Sequence, residues 1–94
     1  MARPYKLSKK LEREIEKLPK KDKVAYEQIL NKIKEIIDCQ DPEHYKNLRN
    51  PLQLFKSVHI KKSFVIVFSY DKQKDFLYFT DYDHHDNIYR KKIE

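Results

Sequence analysis

The hydrophobic period changes once along the chain, at Pro51, and that switch limits the folds available to it. Before it, Leu7, Leu11, Ile15 and Leu18 recur at helical spacing, with Lys and Glu on the opposite face. A second stripe follows: Ala25, Ile29, Ile33, Ile36 and Ile37. After the switch come three segments of strand character. Leu54–Ile60 alternates loosely, Phe64–Tyr70 is an almost unbroken β-branched and aromatic run, and Phe76–Tyr82 is another. Ten of the twelve aromatic residues lie from Tyr45 onward, so the strand half also holds the bulky packing material. Two helices followed by a meander give a two-layer α+β fold.

Local signals sharpen the boundaries. Pro4-Tyr5-Lys6-Leu7 reads as a short edge strand that ends at Ser8, whose hydroxyl can accept an orphan amide of a first helical turn. Pro19 is expected to end the first helix. The second is expected to run from Lys20 to about Cys39 after a tight Pro-Lys-Lys-Asp turn, with Asp38, Asp41 and Pro42 closing it. Lys61-Lys62-Ser63 and Asp71-Lys72-Gln73-Lys74-Asp75 have the length of hairpin connections. Phe64–Phe68 is then the central strand of a small antiparallel sheet. Helices cover one of its faces, and the other is left for solvent or a partner. With 94 residues, no internal repeat and no linker, residues 1–94 form one domain.

Composition removes whole classes of function. There is no glycine, so no P-loop, dinucleotide fingerprint or nucleophile elbow can be built. A single cysteine, Cys39, excludes an intramolecular disulfide and fits a reducing compartment. No apolar run approaches the roughly 18 residues of a membrane span, and Met1-Ala2-Arg3-Pro4 leads into no signal core, so a cytoplasmic domain with no membrane partner is expected. The net charge of +6 favours a polyanionic partner.

The ionisable groups with chemical potential are Lys56, His59, His84, His85, Arg90 and the lysine clusters. In a regular strand, Leu54, Val58 and Ile60 face the core, whereas Phe55, Ser57 and His59 face the open side. From periodicity alone a plain surface histidine is the simpler reading of His59. Lys56 shares the core parity and is placed to snorkel. Asp81-Tyr82-Asp83-His84-His85-Asp86 reads as a loop with two adjacent histidines. A structural zinc site wants four spaced ligands, usually with cysteine, so no metal is expected there. Imidazoles can instead exchange protons near neutral pH. Lys61-Lys62 and Arg90-Lys91-Lys92 flank these histidines, and cations beside an aromatic-bearing sheet face suit RNA.

The order of elements, together with several local strings, resembles the RelE/ParE superfamily of toxins, and within it the RelE and YafQ mRNA-interferase branches. Lys46-Asn47-Leu48-Arg49-Asn50-Pro51 is similar to the family's loop ahead of the first meander strand. Phe55-Lys56 resembles its strand start, Phe64-Val65-Ile66-Val67-Phe68 its central strand, and His85-Asp86-Asn87-Ile88-Tyr89 its closing segment. The resemblance runs nearly end to end and suits an archaeal member. It implies a ribosome-dependent endoribonuclease that needs no cofactor, acts on mRNA and is silenced in a heteromeric complex with a RelB-like antitoxin.

Residue by residue, the resemblance implies catalytic roles for His59, His85 and Tyr89 and matches Lys56 to a strand lysine of RelE; Lys56, with Lys61, Lys62 and Arg90 that flank the histidines, is expected to hold RNA phosphate. His59 matches a histidine of the YafQ-like strand, and Tyr89 the tyrosine of the RelE catalytic region. His85 matches the histidine four residues before the closing aromatic, with His84 one alignment slip away. Val65 stands where RelE has an active-site arginine, and Asp83 near where it has another. Lys56 and His59 point to opposite faces of a regular strand, so they share one site only if a bulge intervenes. Asn50 occupies a loop position where the family carries glycine, and Asp81 and Asp83 are expected to fill another glycine-prone turn. Two other functions fit the same fold: a ParE-like inhibitor of DNA gyrase, and a degenerate toxin that acts only by binding.

Overall fold

Ser8 joins three elements. In the computed structural model, which describes residues 3–49, 52–61 and 63–88, its side chain accepts the Leu11 N–H at 3.1 Å and so caps the first helix. Its own N–H donates to the Phe79 carbonyl at 2.8 Å and its hydroxyl to the Thr80 carbonyl at 2.7 Å. The short strand β1 (Tyr5–Leu7), helix α1 (Lys9–Lys21) and strand β4 (Phe76–His84) therefore meet at one residue. Helix α2 (Lys23–Asp38), strand β2 (Lys56–His59), strand β3 (Phe64–Asp71) and a single-turn helix α3 (His85–Ile88) are the other elements among the described residues, with a 3₁₀ turn at Pro42–His44.

The boundary between the helices differs from the expectation. Pro19 lies inside α1, in its last turns, where it removes only the amide that would have served the Ile15 carbonyl. One residue, Asp22, separates the helices. Its N–H closes α1 on the Leu18 carbonyl at 2.7 Å, and its carboxylate opens α2 by accepting the Ala25 N–H at 3.0 Å. At the far end of α2, which has no basic residue in its last turn, Arg3 supplies the missing cation. Its guanidinium donates to the carbonyls of Ile37, Cys39 and Gln40, and pairs with Asp75 at 2.7 Å. Asp75 is the single non-glycine residue with positive φ (50°) among those described, and it turns the β3–β4 hairpin. Without glycine in the chain, an aspartate takes the left-handed position.

The sheet order is β1-β4-β3-β2. β2, β3 and β4 are antiparallel as expected, but β1 runs parallel to β4, so the sheet is mixed. The physical reason is connectivity: α1 and α2 form the crossover before the meander returns beside β1. The strands also redraw two expected boundaries. β2 covers only Lys56–His59, and Leu54 is 83% exposed instead of entering the core. β4 extends to His84, so Asp81 and Asp83 lie in a strand and not in a turn, and Asp81 is buried. Asn50 lies outside the described residues.

Both faces of the sheet are apolar. Leu11 and Ile15 of α1 and Ile29, Ile33, Ile36 and Ile37 of α2 pack on Ile66, Phe68, Leu77, Phe79 and Tyr82. On the opposite face Val65 and Val67 pack with Leu48 and Ile88, flanked by Leu52 and Phe55. The second face is therefore partly roofed by Leu48, Leu52, Phe55 and α3. A register shift between Val67 and Phe68 decides what faces where. Phe68 pairs with Phe79 but Val67 pairs with Asp81, leaving Thr80 as the extra residue, its hydroxyl donating to the Val67 carbonyl at 3.2 Å. Tyr82 consequently joins the helix-side core, and Asp83 shares the other face with Val65 and His59.

Candidate active site

His59 is the last residue of β2 and is exposed; its main chain pairs with Val65, which in turn pairs with Asp83 of β4. Beyond Asp83 the chain leaves the strand at His84 and enters α3. The Asp83 side chain accepts the His84 N–H at 2.6 Å and the Asn87 side-chain amide at 3.3 Å, bracing the start of α3. Ile88, fully buried in the second cluster, pins its other end. This places the His85 ring over the end of β2. The His59 and His85 rings stack, with centroids 5.9 Å apart and planes 14° apart.

Two residues 26 positions apart in sequence thus present nearly parallel imidazoles at the end of β2. Such a pair offers both a proton acceptor and a proton donor within the span of one phosphodiester. His84 is directed differently. Its ring meets Phe64 edge-on at 5.6 Å, Phe64 stacks on Tyr82 at 5.3 Å, and its Nδ1 accepts the Asp86 N–H at 3.3 Å. The Asp86 carboxylate lies 3.8 Å from the His84 ring and 3.9 Å from that of His85.

The lysines separate from this pair. Lys56 points toward the helix side, and its ammonium donates to the Asn47 side-chain oxygen at 2.7 Å and to the carbonyls of Tyr45 at 3.1 Å and Glu43 at 3.4 Å. The strand is regular between Lys56 and His59, so no bulge brings both to one face. Lys61 pairs with the Asp22 carboxylate at 2.7 Å. That bond, with the Ala25 N–H, holds the Asp22 carboxyl below the usual carboxylate range. Tyr89, Lys62 and Arg90 lie outside the described residues.

Periodicity did not single out the lysines of α1. Lys10, Lys17 and Lys21 line a groove of about 450 Å³ between α1 and the Phe64–Tyr82 stack, with Lys10 3.4 Å from the buried Asp81 carboxylate. Their spacing of seven and four residues was legible as one helical face, but the interleaved glutamates made it look like an ordinary solvated surface. Among the described residues no group of three or more His, Cys, Asp or Glu side chains converges on a metal-binding geometry. No described helix is long and apolar enough to cross a membrane.

No protein-family model matches the sequence. A curated relative does: the chain is 54% identical over 82 residues to "Putative toxin RelE4" of Methanocaldococcus jannaschii, an alignment covering 87% of this chain and 85% of the relative. The chain belongs to the RelE toxin family. The fold of this RelE-family protein agrees. A free-state arginine double variant of E. coli toxin RelE superposes with a TM-score of 0.70 at 16% identity, covering 96% of this chain and 93% of that one. The toxin–antitoxin complex RelBE2 from Mycobacterium tuberculosis contains a chain that superposes with a TM-score of 0.58 at 17% identity, covering 89% and 99%. At such identities the likeness concerns the fold, and the RelE-family site has to be argued from its own residues. Val65 is fully buried and Asp83 braces α3.

Proposed function

We propose that this RelE-family protein is an mRNA endoribonuclease that acts on ribosome-bound message and is neutralised by a RelB-like antitoxin. The observation that carries the reading is the His59–His85 stack, formed by two distant segments on the sheet face not covered by α1 and α2. One imidazole takes the proton from the 2′-OH of the message as that oxygen attacks the adjacent phosphorus. The other delivers a proton to the departing 5′-oxygen as the P–O5′ bond breaks, leaving a 2′,3′-cyclic phosphate and a 5′-hydroxyl. In-line positioning of the message by the ribosome supplies much of the remaining rate. Tyr89 is assigned to the same chemistry by its resemblance to a family tyrosine, and Lys62 and Arg90 to phosphate because they flank the histidine-bearing segments in sequence.

Primer extension on a translated message tests this directly. Cleavage within the ribosomal A-site codon by the wild type, abolished in His59→Ala and His85→Ala proteins that still fold, is the expected result. Full cleavage by the double variant sinks the assignment. The buried Val65 and the bracing Asp83 favour one second reading, a toxin that only binds. That reading predicts no cleavage by the wild type, and a supercoiling assay with DNA gyrase would then show whether the protein blocks that enzyme.

A further inference from the structure

The connection between β2 and β3 adjoins both histidines. His59 precedes it by one residue, and His85 is bonded to it, because the Ser63 carbonyl accepts the His85 N–H at 2.6 Å. The turn is closed by the Ile60 N–H donating to the Phe64 carbonyl at 3.0 Å. Ile60 and Phe64 pack against the helix-side core, and Lys61 adds a polar tie to the helix layer, its ammonium reaching the Asp22 carboxylate at 2.7 Å. Asp22 is itself immobilised, since it is the single residue between α1 and α2 and caps both. One oxygen of its carboxylate serves the Ala25 N–H and the other serves Lys61.

We infer that Asp22 is a positioning residue for cleavage: through Lys61 it fixes the chain that follows β2 on the helix layer, and with it the spacing of the His59 and His85 rings. The inference rests on the ribonuclease reading above for its consequence, though not for its geometry. It also gives Lys61 a role other than phosphate binding. A lysine held on a carboxylate at the protein's own helix junction has given its charge to that partner. General acid–base transfer is sensitive to small displacements of the proton-carrying atoms, so loosening the turn affects the chemical step more than the docking of the message.

The test compares Asp22→Asn, Lys61→Gln, Lys61→Arg and the Asp22→Asn/Lys61→Gln double variant. Asparagine caps a helix as well as aspartate does, so Asp22→Asn removes the ion pair while keeping the helix junction. Asp22→Asn and Lys61→Gln are each expected to lower kcat on programmed ribosomes by about tenfold with KM unchanged. The double variant should be no worse than either single one, and Lys61→Arg should keep most of the rate. If Lys61 instead binds phosphate, Asp22→Asn leaves kcat intact or lowers KM by freeing the ammonium, and Lys61→Gln flattens the salt dependence of ribosome binding. Either result overturns the inference.

A second readout needs no activity. In the free protein, NMR contacts between the His59 and His85 rings should weaken in Asp22→Asn and persist in Lys61→Arg. Unchanged ring contacts in Asp22→Asn overturn the inference. A wild type that does not cleave, yet loses the ring contacts in Asp22→Asn, refutes the ribonuclease reading and leaves standing only that Asp22 sets the spacing of the two rings.

Discussion

Ser63 and His85 are joined by a main-chain hydrogen bond of 2.6 Å, so the turn that follows β2 also decides where α3 begins. The pairing of His59 with His85 is therefore a property of backbone placement, with the two rings brought into register by a bond that neither side chain makes.

If the two imidazoles share one proton-transfer cycle, their removal is not additive. His59→Ala and His85→Ala should each slow cleavage by about 10²–10⁴-fold, and the double variant should be little slower than the worse single one. Single-turnover cleavage of a ribosome-bound message measures this. Multiplicative losses would mean that the two rings act independently.

Ile88 fixes α3 from below. It is fully buried against Leu48, Val65 and Val67, and a four-residue helix has too few internal hydrogen bonds to hold itself in place. Ile88→Ala should cost about 2–5 kcal/mol in urea unfolding, and Ile88→Val about 1 kcal/mol. The conservative variant should retain the His59–His85 ring contact in NMR spectra.

Acid sensitivity should come in part from the hairpin tip. The Tyr70 hydroxyl donates to the Asp75 carboxylate at 2.6 Å and Arg3 pairs with it, in that order of influence, so the Asp75 carboxyl ionises below its ordinary range. A carboxyl whose folded pKa is depressed contributes stability above its unfolded pKa and loses it as pH falls through the folded value. Asp75→Asn, which tolerates the same positive φ, should melt below the wild type at neutral pH. That gap should close as the solution is acidified through the carboxylate range. Thermal melts across pH read both.

Ser8→Ala removes the cap of α1 and the hydroxyl bond to the Thr80 carbonyl together. The expected loss is about 1–2 kcal/mol by denaturant titration. Ser8→Asp keeps a capping oxygen but cannot donate to Thr80, so it should recover only part of the loss.

The helix stripes were legible because they are local. Leu11 and Ile15, and then Ile29, Ile33 and Ile36, repeat with the helical period, and every one of them is buried. Ser8 announced its cap, and Phe64–Phe68 its place at the sheet's centre, for the same reason: the signal lies within a few residues. His59 was assigned to the open face by parity within its own strand, and it lies there.

What lay beyond the sequence depends on pairs far apart in the chain. The extra residue at Thr80 exists only relative to Val67 on the neighbouring strand, yet it inverts the facing of everything after it, placing Tyr82 in the core and Asp83 beside the site. Parallel pairing of β1 with β4 likewise needs the sheet assembled first. Asp22 looked like one acid in a run of lysines until the fold brought Lys61 to it. A period of 3.6 or 2 is set by backbone geometry residue by residue, and the sequence by itself determined the layers from it. Register and side-chain partnership are set by where separate segments come to rest, so only the tertiary structure decided that His59 and His85 meet.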